Sequence, residues 1–93
     1  MNGSWTTHHD GIIGGRPVKV QTHSDGGYRV STTLDQDSDG KAYRDEAGAT
    51  IIPPMAKGTP IDIDSATIAD LRQDLAREGF DQASIDEIIA HFP

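Results

Sequence analysis

The sequence predicts an α+β fold, in which a small antiparallel sheet of three to four strands precedes a C-terminal two-helix hairpin. Two period-2 runs about an Asp-Gly turn predict the sheet, and apolar residues at helical spacing in the last third predict the helices. Size is the third observation. In a chain of 93 residues neither part can bury a face alone, so the two are expected to pack as one unit.

Residues 1–15 contain four glycines, with Trp5, Ile12 and Ile13 as the only large apolar groups, and read as a flexible N-terminal arm. Trp5 is then either a plug for a small core or an anchor for a partner, because tryptophan is enriched at interface hot spots. The single α+β domain is expected over 16–93, with its sheet over 17–52. Val18, Val20 and Thr22 alternate with Lys19, Gln21 and His23, and Tyr28, Val30 and Thr32 alternate with Arg29, Ser31 and Thr33. The intervening Ser24-Asp25-Gly26-Gly27 is a strong hairpin signal over 18–33. It turns the Val/Tyr face inward and leaves the Lys/Arg face wet. A third strand is expected at Lys41 to Arg44 and a fourth near Ala49 to Ile52. Pro53 and Pro54 end the sheet, since proline cannot donate to a ladder, and 53–64 reads as a Pro/Gly loop.

The helical hairpin is expected over 65–92. Thr67 with Asp70, or Asp64 and Ser65 before it, caps a first helix with Ile68, Leu71 and Leu75 on one stripe. Gly79 stops that helix, because glycine takes the left-handed conformation of a helix end. Ser84 and Glu87 have capping-box spacing, and Asp81 is a rival cap one turn earlier. The second helix aligns Ile85, Ile88, Ile89 and Phe92, and Phe80 sits at the elbow.

Ten Ile, three Leu, three Val and two Phe give a small core, so a partner or a homo-oligomer interface is expected to supply part of the burial. Fifteen acidic residues, twelve of them Asp, against eight basic ones set the net charge at −7. That charge argues against an electrostatic nucleic-acid binder. The absence of cysteine removes the disulfide-stapled class. No apolar run approaches the ~18–20 residues of a membrane span, and the N-terminus lacks a basic region followed by a hydrophobic one. A cytoplasmic protein without membrane contact is expected. No catalytic residue is assigned: there is no Gly-x-Ser-x-Gly elbow, and Gly11 to Gly15 lacks the Lys-Ser/Thr of a phosphate loop. No enzyme is expected.

Two constellations remain. Asp35-Gln36-Asp37-Ser38-Asp39-Gly40, followed by five residues and Glu46, has the spacing of a calcium loop. Carboxylates at positions 1, 3 and 5 converge when a glycine turns the chain, and the Lys41 carbonyl and a bidentate Glu46 complete the shell. Over these twelve residues the segment resembles the EF-hand family, which implies a Ca2+ site at Asp35, Asp37, Asp39, Lys41 and Glu46. The segment departs from that pattern at Ala42 and Tyr43, and helices do not flank it. The other reading is a polar hairpin tip in which Asp and Gly serve turn geometry.

The second constellation is an acidic stripe. Asp70, Asp74, Glu78 and Asp81 follow one another at three- to four-residue steps, either as a solvated face or as the electrostatic complement of a basic partner. Of the four histidines, His8 and His9 in the arm and His23 on the wet face read as solvated, and His91 as a favourable charge at a helix C-terminus. Leu75 to Phe80, with its Gly-Phe turn, resembles ubiquitin-associated helical modules. The likeness covers the helical hairpin alone, without a third helix, and brings no function with it. In overall profile (short, acidic, cysteine-free) the chain is similar to anti-CRISPR inhibitors and to antitoxins and adaptors. The expected function is a non-enzymatic protein-binding module that meets a basic partner through Asp70, Asp74, Glu78, Asp81 and Trp5. The alternative is a calcium-binding module.

Overall fold

The computed structural model describes residues 3–93; Met1 and Asn2, the start of the expected arm, lie outside the described residues. Three strands come first: β1 (Trp5–Ile13), β2 (Arg16–His23) and β3 (Tyr28–Thr33). From Trp5 to Ile13 the expected flexible arm is therefore a nine-residue edge strand. Its stability comes from pairing with β2, which its own glycine-rich composition does not reveal. Gly14 and Gly15, at φ 63° and 77°, join the two strands as a two-residue hairpin connection. A bulge between Thr7 and His9 turns Trp5 to the face that carries Gln21 and His23.

A long excursion follows β3. Its base is closed where the Leu34 N–H donates to the Thr59 carbonyl at 2.9 Å and the Gly58 N–H to the Leu34 carbonyl at 3.0 Å. Within it β4 (Ser38–Asp39), β5 (Tyr43–Arg44), β6 (Thr50–Ile51) and β7 (Pro54–Met55) pair as β4–β7 and β5–β6. The two pairs are successive stretches of one projecting hairpin. The strands expected at 41–44 and 49–52 therefore exist, but in this arm and not in the main sheet. Pro54 does not end a ladder; it pairs with Asp39 in a two-stranded ribbon, where its missing donor can face outward. The arm sets the shape of the molecule. Its radius of gyration is 15.0 Å, against about 12 Å for a compact chain of this length, and its extents are 48 × 37 × 21 Å.

The chain then enters β8 (Pro60–Ser65), the fourth strand of the main sheet, where a loop was expected. The order is β1-β2-β3-β8, antiparallel throughout. In β8 Ile61 and Ile63 face inward, while Asp62 and Asp64 lie opposite Ser31 and Arg29 on the outer face. Helices α1 (Ile68–Arg77) and α2 (Gln82–Ala90) cover the inner face.

Val18, Val20, Val30 and Ile63 from the sheet bury against Leu71, Leu75, Phe80, Ile85 and Ile88 from the helical hairpin. The Thr67 hydroxyl accepts from the Asp70 N–H and caps α1. Gly79, at φ 92°, ends it. The Gly79 N–H donates to the Ala76 carbonyl and the Phe80 N–H to the Leu75 carbonyl, the Schellman pattern, with both Phe80 and Leu75 in the core. Asp81, and not Ser84, caps α2, taking the Ser84 N–H at 2.8 Å. The hydroxyl and then the backbone N–H of Ser84 hold the Asp81 carboxyl below the ordinary carboxylate range. The C-terminus docks by aromatic contact, with Phe92 edge-on to Tyr28 and His91 stacked on His9 at 4.0 Å. His9 is thus half-buried, and not solvated.

Candidate partner-binding site

Two surfaces carry the candidate residues: the helical hairpin and the arm. On α1 the spacing of Asp70, Asp74 and Glu78 lines up as expected, but the carboxylates are not equivalent. Asp74 accepts from the Ser65 hydroxyl at 2.9 Å and from Arg77 at 3.0 Å. Asp81 is occupied as the α2 cap. Arg72 reaches across to Asp86 at 2.8 Å, tying α1 to α2, and with Gln82 it holds the Asp86 carboxyl below its ordinary range. Both helical arginines are therefore already paired. Among the described residues Asp70, Glu78 and Glu87 make no ion pair.

Trp5 is neither a core plug nor a free anchor. It lies on the outer face of the sheet, where the Arg29 guanidinium sits 4.0 Å from its ring centroid and the His23 ring meets it edge-on at 4.8 Å. Arg29 in turn forks onto Asp64 at 2.7 and 3.0 Å. The Arg/Lys face is thus partly covered, and this Trp5–Arg29–Asp64 chain spans β1, β3 and β8. No spacing rule links these three positions, since β8 reaches the sheet only after the arm.

Arg29 hydrogen-bonds Asp64 and holds its carboxyl below the ordinary range. A carboxyl depressed in the folded state stabilises above its unfolded pKa, and that stability is lost as pH falls through the folded value. Asp64 is half-exposed, so the pair contributes at most about 1 kcal/mol. Asp64→Asn should lower stability by that amount in urea melts at pH 7, and the difference should shrink as pH falls below the ordinary carboxylate value. A difference that does not change with pH would show packing, and not charge, as the cause.

The Asp35–Glu46 segment is drawn out along the arm and does not close as a twelve-residue loop. Asp35 lines a cleft of about 390 Å3 with Arg77, Glu78 and Gly79. Asp37 and Asp39 line a different cleft of about 590 Å3 with Pro54 and Met55. Asp37 takes the Lys57 N–H at 2.8 Å and helps close the base of the arm. Lys41 lies between β4 and β5, and Glu46 lies in the turn at the far end. Asp45 shapes that turn by accepting the Ala49 N–H at 2.9 Å. Among the described residues no group of three or more His, Cys, Asp or Glu side chains is placed to hold a metal ion.

Sequence reasoning missed Arg16, buried where β2 begins, and the exposure of Tyr43 and Ile52 on the arm. For Tyr43 a signal existed, as an aromatic is out of place at that position of a calcium loop. For Arg16 there was none. Among the described residues no helix is long and apolar enough to cross a membrane. No family model matches the chain, and no curated protein or solved structure gives a match.

Proposed function

We propose that the chain is a non-enzymatic protein-binding module, an inhibitor or adaptor, that meets a basic surface of another protein through its helical hairpin. One observation carries this reading: both arginines of the hairpin are held internally by Asp74 and Asp86, while Asp70, Glu78 and Glu87 stay unneutralised. Residues 66–93 hold six acids against those two arginines, so this side of the molecule presents uncompensated negative charge. Such a surface steers a basic partner and sets orientation more than it adds raw affinity.

The test is capture of a basic protein from a lysate of the native host by immobilised protein, at low and at high salt. Asp70→Lys combined with Glu78→Gln and Glu87→Lys should reduce capture by about tenfold or more while leaving the circular dichroism unchanged. Asp10→Lys with Asp25→Lys, on the other side of the fold, should leave it intact. Equal capture by both variants would overturn the reading.

A further inference from the structure

We propose that His9 and His91 form an acid-released latch, in which protonation of His9 frees the C-terminal segment from β1 while the rest of the fold stays closed. The latch involves none of the acids assigned to the partner surface.

Its geometry follows from the sheet. Alternation along β1 turns His9, Gly11 and Ile13 to the inner face, with His9 opposite Val20 of β2. The end of α2 closes over His9. His91 caps that helix, its N–H donating to the Ile88 carbonyl, and its ring stacks on the His9 ring at 4.0 Å between centroids and 23° between planes. Phe92 then donates its N–H to the Ile89 carbonyl and lies edge-on to Tyr28 at 5.3 Å. Two ring contacts thus dock the C-terminus, and one of them joins two imidazoles. Gly11 makes the room, since a Cβ there would stand 3.2 Å from Cε1 and Nε2 of His9.

The two imidazoles are not equivalent toward a proton. Nε2 of His9 is buried and has no hydrogen-bond partner among the described residues. A neutral ring tolerates this, because its proton can sit on Nδ1 and leave Nε2 a bare lone pair. An imidazolium carries N–H at both nitrogens, so charging His9 buries a charged donor with nothing to receive it. His91 is better placed for charge, at the negative end of the α2 dipole. A proton on His91 is therefore compatible with the stack, whereas a second one on His9 sets two cations face to face.

No neighbour relieves that repulsion. On β1, Asp10 points to the outer face, and His8 meets the Thr22 hydroxyl through Nε2 at 2.7 Å. On β2, Val20 is apolar, and Lys19 faces outward opposite Asp10. On β3 the titratable group is the Tyr28 phenol, whose ring packs on Phe92. On α2, Glu87 lies one turn before His91 and pairs with neither ring. Among the described residues the one histidine beside a carboxylate is His23, 3.9 Å from Asp25.

Opening returns water to Nε2 of His9, so the open form takes up a proton that the closed form excludes. Opening is therefore favoured as pH falls through the ordinary imidazole range, about 6.5. For one proton the open population should rise about tenfold between about pH 7.5 and about pH 5.5. The buried core holds no histidine and should not share in the opening.

Proton NMR reads the latch directly. In the closed form the stack displaces the Cε1–H signals of His9 and His91 by ring current, and Phe92 displaces those of Tyr28. In wild type both sets should move together toward free values as pH falls to about 5.5, with the Val20 and Val30 methyl signals held at their native positions. His9→Phe and His9→Gln, which cannot take the proton, should keep Tyr28 displaced at both pH values. His91→Phe keeps a ring over His9 without a second charge, so it should open less than wild type at the same pH. His8→Gln and His23→Gln should open as wild type does. Tyr28 signals that stay displaced in wild type, acid opening in both His9 variants, equal opening in His91→Phe, or loss of the Val20 and Val30 signals in step with Tyr28 would each overturn the proposal.

Discussion

Arg16→Ala is expected to destabilise the fold by about 3 kcal/mol. Arg16 is 7% exposed, and among the described residues no carboxylate pairs with it. Backbone carbonyls hold it instead. Nη1 donates to the Glu78 carbonyl at 2.8 Å, and Nε and Nη2 both donate to the Thr33 carbonyl. The guanidinium also lies 4.0 Å from the Phe80 ring centroid. One side chain thus ties the start of β2 to the end of β3 and to the C-terminus of α1, where a cation also suits the helix dipole. Alanine would strand two carbonyls at about 1–3 kcal/mol each and remove the stacking contact, worth about 1 kcal/mol. Relief from desolvating a buried cation offsets part of that loss. In a domain of this size the net effect corresponds to a drop of more than about 10 °C in Tm. Arg16→Lys should recover less than half, because an ammonium lacks the planar fork that reaches both carbonyls. A urea midpoint for Arg16→Ala within error of wild type would show that the tie carries no weight.

What the sequence reveals and what it hides divide along locality. The 18–33 hairpin, the Thr67 cap and the Gly79 stop follow from residues within a few positions of one another, and all three form. β1 was hidden because an edge strand draws its stability from its neighbour, so Trp5 to Ile13 need not look strand-like alone. β8 had its alternation in view, with Ile61 and Ile63 between Asp62 and Asp64. Its acids gave it the look of a loop, and their partners Ser31 and Arg29 sit 31 and 35 residues upstream. The arm was ambiguous for a different reason. Aspartate and glycine serve a cation loop and a β-turn equally well, and only pairing such as Ser38 with Met55 separates the two. At the helical surface the periodicity of the acids was legible. Their availability was not, because Asp74 is taken up by Ser65 and Arg77 and Asp81 by the cap of α2.

The same distinction between local conformation and distant contact can be measured at the β1–β2 turn, where two adjacent glycines should respond differently. Both have positive φ, 63° at Gly14 and 77° at Gly15, so alanine at either carries left-handed strain of about 1–2 kcal/mol. A Cβ on Gly15 would meet nothing within 4 Å. A Cβ on Gly14 would lie 2.7 Å from the Ser84 hydroxyl and 3.3 Å from its Cβ. Ser84 cannot easily retreat, being buried in the first turn of α2 with its N–H held by Asp81. Either the turn or the start of α2 must shift, and overpacking of this kind costs about 1–3 kcal/mol more. Gly14→Ala should therefore lose about 3 kcal/mol and Gly15→Ala about 1. A double-mutant cycle isolates the contact: Ser84→Ala should recover part of the loss in the Gly14→Ala background and none in the Gly15→Ala background. Equal losses at the two glycines would mean that β1 is held by strand pairing alone. The expected inequality would mean that α2 is seated against the turn, so that the N-terminal strand and the helical hairpin unfold as one cooperative unit.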